Sequence, residues 1–179
     1  MTKRSGRIEL IIGPMFAGKT SELLRRLERH VYAKRNILTI FSQKDTIKKT
    51  HCGEEKSGGV YLTNLLDIKT DILEKCEVIG IDEGQFFPDL VDFCELCANK
   101  YGKIVIVAAL DGDFKRNPFG QTCDLISKAE RVDKLKAVCM ICKDKDAAFS
   151  KRTSNETNVE VVGGSDIYLA CCRQCYNKK

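Results

Sequence analysis

Hydrophobic and polar positions along the chain fall into two regimes. In the first, near-continuous apolar runs alternate with amphipathic stretches: Ile8-Glu9-Leu10-Ile11-Ile12, Ile37-Leu38-Thr39-Ile40-Phe41, Val78-Ile79-Gly80-Ile81 and Lys103-Ile104-Val105-Ile106-Val107-Ala108-Ala109-Leu110. Short runs without alternation predict strands buried on both faces, as in a parallel sheet. Between them, Thr20 to Lys34 carries Leu23, Leu24, Leu27 and Val31 at helical spacing, and Pro88 to Lys100 carries Leu90, Phe93, Cys94, Cys97 and Ala98 near one face. These predict helices. The fold class is α/β: a P-loop parallel sheet with helices on both faces. In the second regime, from Ala137 onward, short β-like runs and paired cysteines replace that pattern. They predict a small β lobe at the C-terminal end held by something other than a hydrophobic core, with 1–136 as the main domain and 137–179 as the lobe. Gln43 to Gly59 is charged and lacks periodicity, which predicts a flexible loop that orders with substrate.

Candidate chemistry sits where the predicted strands end. The first runs into Gly13-Pro14-Met15-Phe16-Ala17-Gly18-Lys19-Thr20, which fits G-x-x-x-x-G-K-S/T with a strand before it and a helix after it. Such a loop cradles the phosphates of a nucleoside triphosphate. The glycines let backbone N–H groups approach the phosphate oxygens, the helix N-terminus adds positive potential, Lys19 supplies a point charge and the Thr20 hydroxyl can ligate Mg²⁺. The third strand runs into Asp82-Glu83 and the fourth into Asp111-Gly112. In parallel α/β sheets, ligands bind beyond the carboxyl ends of the strands. Two consecutive carboxylates at one strand end have diverging side chains: Asp82 is placed to serve the metal and Glu83 to act as general base. Phe86 and Phe87 beside this pair, with Phe114 and Phe119 after the next strand, offer a slot for a flat base.

Ten cysteines sharpen the second regime. The chain start, Met1-Thr2-Lys3-Arg4-Ser5-Gly6-Arg7, lacks the apolar centre of a signal peptide, and no run is long enough to span a membrane. The expected setting is therefore intracellular, where thiols stay reduced and ligate metal. Of three C-x-x-C pairs, Cys94/Cys97 falls on a helix and reads as core. Cys139/Cys142 and Cys172/Cys175 flank the lobe and predict a structural Cys₄ zinc site, with Cys171 as a spare neighbour. His30 and His51 have no evident partner, which argues against histidine-based catalysis. The net charge of +5 is spread among 25 acidic residues and forms no stripe suited to a nucleic-acid backbone.

In their order, Gly13 to Thr20, Gly80-Ile81-Asp82-Glu83-Gly84-Gln85-Phe86-Phe87-Pro88, Ala109-Leu110-Asp111-Gly112-Asp113-Phe114 and the two cysteine pairs closely resemble the cytosolic, zinc-containing (type II) thymidine kinases. The resemblance covers nearly the whole chain. It extends to Lys151-Arg152 and Val161-Val162-Gly163-Gly164-Ser165-Asp166-Ile167-Tyr168, which look like that family's lasso loop over the nucleoside. It implies transfer of the ATP γ-phosphoryl group to the 5′-hydroxyl of thymidine, with deoxyuridine as a second substrate, for DNA precursor synthesis by nucleotide salvage. Glu83 matches the family's base; Lys19, Thr20, Asp82 and Gln85 match its ATP and Mg²⁺ positions. Phe86, Leu110, Phe114, Phe119, Arg152, Val159, Val161, Val162, Gly163 and Tyr168 match the nucleoside site. A cytoplasmic homotetramer, inhibited by thymidine triphosphate, is also implied.

The chain departs from the family pattern at three places. Ile47 stands where an arginine is common, so a phosphate contact is either absent or supplied by Lys48, Lys49 or Arg152. Asp113 replaces a threonine and either alters acceptor preference or faces solvent. Ala17 replaces a serine in the P-loop, where backbone N–H groups carry the contact. Two other function classes fit the motifs less well. A mechanical P-loop ATPase would be expected to show a coupling arginine finger or a second domain. A nucleic-acid module on the lobe would use Lys143, Lys145, Lys151, Arg152 and Arg173, but five acids share that lobe and no stacking platform accompanies the cations.

Overall fold

The computed structural model describes residues 5–45, 58–153, 156, 158 and 167–178. Six strands form one parallel sheet: β1 (Arg7–Ile12), β2 (Ile37–Ser42), β3 (Val60–Leu62), β4 (Val78–Ile81), β5 (Ile104–Ala109) and β6 (Arg131–Lys134), in the order β3-β2-β4-β5-β1-β6. The register pairs Ile8 with Val105 and Ile79 with Val105, so β5 lies between the P-loop strand and the acidic strand. Central strands β4 and β5 are buried at every position, as continuous apolar runs require.

Helix α1 (Lys19–Tyr32) covers one face of the sheet, where Leu23 and Leu27 pack with Ile11, Val78, Ile104, Ile106 and Ala108. Val31 does not continue that face: it is 61% exposed, and Arg26 takes the buried place beside Leu23 and Leu27. The opposite face is the larger core. There Ile8, Leu10, Ile79, Ile81, Val105 and Val107 meet Leu90, Phe93, Cys94 and Cys97. Helix α2 (Thr70–Lys75) contributes Leu73 to the same cluster. The helix predicted over 88–100 is α3 (Leu90–Glu95) continuing into a wider π turn over Leu96–Lys100, with Tyr101 N–H bonded to Leu96 O at 3.4 Å. Cys94 and Cys97 are fully buried there, and burial pushes the Cys94 thiol well up and Cys97 up to about 12. They remain protonated core residues. Changing both to Ala should leave metal content unaltered and cost about 1 kcal/mol each in chemical denaturation.

Two strands escaped the sequence pattern. β3 has three residues, and β6 reads Arg-Val-Asp-Lys at the sheet edge, too short and too charged to register as apolar runs. β6 is held instead by polar contacts. Ile8 N–H donates to Glu130 Oε2 at 2.7 Å, and Arg26 of α1 bridges Asp133 (2.7 Å), Glu9 of β1 (3.2 Å) and Glu22 (2.7 Å). Arg26 is 6% exposed. Removing one member of a buried ion network leaves the others unpaired, which costs about 3–5 kcal/mol. Arg26→Leu is expected to destabilise by about that amount, with much of it recovered by adding Glu9→Leu.

The same network sets an acid limit. Bonding to Arg25 holds the Glu22 carboxyl down from 4.5 to about 2, burial opposing and Arg26 assisting. A depressed carboxyl stabilises the fold above its unfolded value and loses that contribution as pH falls. Stability should decline between pH 4.5 and about 2, and Glu22→Gln should flatten that part of a pH-melt series.

The lobe after Lys136 comprises two antiparallel hairpins, β7 (Ala137–Val138) with β8 (Asp146–Ala147) and β9 (Phe149–Arg152) with β10 (Tyr168–Cys171), followed by α4 (Arg173–Asn177). Its small core contains Ala137, Cys139, Ala147, Ala170, Cys172 and Cys175, and Phe16 and Ala17 of the P-loop pack against it. Of the loop predicted over 43–59, positions 46–57 lie outside the described residues; these include Ile47, Lys48, Lys49 and His51. No helix among the described residues is long and apolar enough to cross a membrane.

Candidate active site

The phosphate cradle is shaped by backbone conformations that few residues adopt. Gly13 has φ 144°, and a Cβ there would lie 2.5 Å from the Leu135 carbonyl oxygen of the segment following β6. Gly18 (φ 79°) caps α1, whose first residues are Lys19 and Thr20. Phe16 holds φ 64° although it carries a side chain; its ring lies against the cysteine lobe. Such strain costs of order 1–3 kcal/mol and persists where surroundings enforce it. Met15 N–H donates to Ser150 Oγ of β9 at 3.0 Å, a second tie from cradle to lobe that no sequence motif announced. Lys19 is buried, its Nζ donating to Pro14 O at 2.8 Å.

Thr20 reaches across β5 to the end of β4. Its hydroxyl lies 3.0 and 3.2 Å from the two carboxylate oxygens of Asp82. Asp82 is buried, and carboxylate oxygens of Asp45, Asp82 and Glu83 lie within 4.8 Å of one another. Asp45 follows the end of β2, so three strand ends converge on one point. Clustered carboxylates with an adjacent hydroxyl form an all-oxygen donor set, the chemistry that suits Mg²⁺.

Glu83 occupies a left-handed conformation, φ 54° and ψ 45°. This turns its side chain away from the β4 direction immediately after Asp82. Burial raises its carboxyl above 4.5, the Asp82 charge adds to the rise, and Lys19 and the amide of Gln85 oppose it. Gln85 Nε2 donates to Glu83 Oε2 at 2.5 Å, and Gln85 Oε1 accepts from Leu110 N–H at 2.9 Å.

Around these carboxylates stand the aromatic residues singled out from the sequence. Phe86 and Phe119 meet edge to face, with centroids 5.8 Å apart and an interplanar angle of 86°. Phe87 is instead fully buried in the main core. Phe114 is covered by Arg152, whose guanidinium lies 3.9 Å from the ring centroid and 5.1 Å from that of Tyr168. Arg152 is 8% exposed. It donates to the Tyr168 hydroxyl (2.6 Å), to Glu156 O (2.9 Å) and to Asn158 O. These contacts tie β9 to β10 and to the backbone at Glu156 and Asn158. Val159, Val161, Val162 and Gly163 lie outside the described residues. Asp113 is buried, not solvent-facing: its Oδ1 accepts from Lys115 and Asn117 N–H groups, both at 2.8 Å, and closes the turn after Gly112. Asp111 pairs with Lys134 at 2.6 Å. His30 also has a partner: its Nδ1 lies 2.9 Å from Arg35 Nη1, and burial lowers its titration.

Cys139, Cys142, Cys172 and Cys175 bring their four sulfurs within 4.8 Å of one another, a grouping that one tetrahedral ion with Zn–S near about 2.3 Å can draw together. Burial by itself works to raise the Cys139 and Cys175 thiols. N–H groups of Cys142, Cys172 and Ile141 nonetheless hold Cys139 down to about 6, while neighbouring sulfurs help push Cys175 up to about 12. Four sulfurs grouped this closely are a donor set that a divalent cation can bind as thiolates. Cys171 stands outside the set and directs its Sγ toward Leu169 O.

A family model described as thymidine kinase matches residues 6–176. The chain is similar to the thymidine kinase of Myxoma virus (strain Uriarra), 51% identical over 98% of this chain and 99% of that protein. It is also similar to the thymidine kinase of Raccoon poxvirus, 51% identical over 96% of this chain and 97% of that one. With thymidine kinase 1 of Dictyostelium discoideum it shares 46% identity over 99% of this chain and 80% of the relative. A match over residues 6–176, a span that includes the cradle, the acidic strand end and the four-cysteine cluster, shows that this chain belongs to the thymidine kinase family.

Proposed function

We propose that this protein phosphorylates thymidine, transferring the γ-phosphoryl group of ATP to the 5′-hydroxyl, with deoxyuridine as a second acceptor. The observation that carries this reading is the convergence of the P-loop on the Asp82-Glu83 strand end, with Thr20 Oγ1 3.0 Å from Asp82. Phosphoryl transfer asks a protein for positioning and charge stabilisation more than for covalent chemistry. The cradle backbone of Gly13, Pro14, Met15, Phe16, Ala17 and Gly18, with Lys19, holds the donor phosphates. Thr20 and Asp82, with Asp45, would hold Mg²⁺, which when bound neutralises phosphate charge. Glu83 accepts the proton of the attacking 5′-hydroxyl. Phe86, Leu110, Phe114 and Phe119 form the walls around the thymine ring, and Arg152 and Tyr168 position the lasso whose backbone, from Val159 through Val161, Val162 and Gly163, reads the base edge.

The proposed organisation is a nucleotide-binding domain over 1–136 and a lobe over 137–179, stapled by zinc on the four cysteines. The reading extends to a cytoplasmic homotetramer in nucleotide salvage, inhibited by thymidine triphosphate and engaging neither membrane nor nucleic acid. Its test is a phosphorylation assay with ATP and Mg²⁺, offering thymidine, deoxyuridine, deoxycytidine or no nucleoside in parallel. Thymidine-dependent product is expected; ATP hydrolysis indifferent to every nucleoside would refute it.

A further inference from the structure

Glu83 stands in a place with two claims on it. Its carboxylate is part of the acidic cluster, an oxygen lying within 4.8 Å of oxygens of Asp45 and Asp82, yet a base must keep an oxygen directed at the acceptor hydroxyl. Backbone geometry alone does not decide between them, because a glutamate side chain rotates freely beyond its first torsions. The neighbouring amide does. Leu110 N–H, at the end of β5, can only donate, so the Gln85 oxygen must face it, at 2.9 Å. That fixes the amide orientation and leaves Nε2 no choice but to face Glu83 Oε2, at 2.5 Å. Gln85 is 3% exposed, and its own carbonyl is overlain by Gly120, where any Cβ would collide with it. The residue is clamped on both sides.

We infer that Gln85 is a positioning residue for catalysis: by tying one Glu83 oxygen to the β5 end through Leu110, it fixes the orientation of the Glu83 carboxylate and leaves the second oxygen for the acceptor hydroxyl. This assigns Gln85 a role apart from phosphate binding and rests on the reading of Glu83 as the base. Leu110 also belongs to the proposed thymine wall, so one amide sets the spacing between the base-binding wall and the proton acceptor.

The test is a double-mutant cycle on the full-length protein with Gln85→Met, which keeps the side-chain length and removes both hydrogen bonds, and Glu83→Gln. Misplacing a reacting group by about 1 Å can cost about 10²-fold. Gln85→Met should lower kcat about 10- to 100-fold while the KM for thymidine and for ATP changes less than about threefold. In the Glu83→Gln background it should have almost no further effect, since it acts through Glu83. Gln85→Glu, which keeps the acceptor toward Leu110 but replaces the neutral donor by a carboxylate, should likewise lose kcat with thymidine affinity intact. It supplies the answer if the Met variant fails to fold. A folded Gln85 variant with unchanged kcat, or one whose loss multiplies with that of Glu83→Gln, overturns the inference. A fully active Glu83→Gln protein would instead overturn the base assignment beneath it.

Discussion

Glu83→Gln is expected to lower kcat by about 10³-fold while thymidine and ATP dissociation constants stay within about threefold of wild type. The substitution is nearly isosteric and leaves the local geometry in place. Glutamine tolerates the left-handed backbone at φ 54° no worse than glutamate does, and an amide oxygen can accept from Gln85 Nε2 as the carboxylate does. What disappears is proton affinity. Steady-state kinetics with calorimetric titration of each ligand separate the possibilities: near-normal turnover would remove Glu83 from the chemistry, whereas lost binding would make it a structural or ligand-holding group. Replacing Asp82 should behave differently. Its carboxylate bonds Thr20 at the head of α1, so Asp82→Asn should weaken ATP binding as well as turnover.

These roles were unevenly legible in the sequence. The cradle and the acidic pair could be read because their spacing is local: a strand, a loop of fixed length and a helix, then a strand ending in two carboxylates. Glu9 also stood in plain view, as a charge inside an apolar run, but its partner Arg26 comes from α1 and is shared with Asp133 of β6, so the network exists only in three dimensions. Gln85 matches an ATP position of the family motif, and its partners Glu83 and Leu110 meet it because β4 and β5 are neighbours. For Asp113 the sequence offers substrate or solvent, and its place as a buried, turn-closing carboxylate depends on the fold of residues 113–117. The charged edge strand β6 was invisible because its stabilisation is polar. The tie from Met15 to Ser150 joins residues 135 positions apart and has no local signature.

That tie gives the metal prediction its reach. Purified protein is expected to carry one zinc per chain by elemental mass spectrometry, and Cys142→Ser or exhaustive chelation should lower the melting temperature and abolish thymidine binding. Among the described residues, the apolar core of the lobe is three alanines among cysteines, with Phe16 and Ala17 packed against it. Structural zinc supplies about 10–16 kcal/mol to small metal-folded peptides at neutral pH, more than such a core can replace. The damage should extend past the nucleoside site. Phe16 and Ala17 pack on the cysteine core, and Met15 donates to Ser150 in β9, so a melted lobe removes two supports from the phosphate cradle. ATP affinity should therefore fall together with thymidine affinity, although every cysteine ligand lies outside the P-loop. Cys171→Ala serves as the control and should retain both zinc and ligand binding, its sulfur lying outside the four-cysteine set. A metal-free, folded protein that binds thymidine normally would show that the four sulfurs are not a structural site. Loss of thymidine binding with ATP binding intact would show that the cradle stands without the lobe.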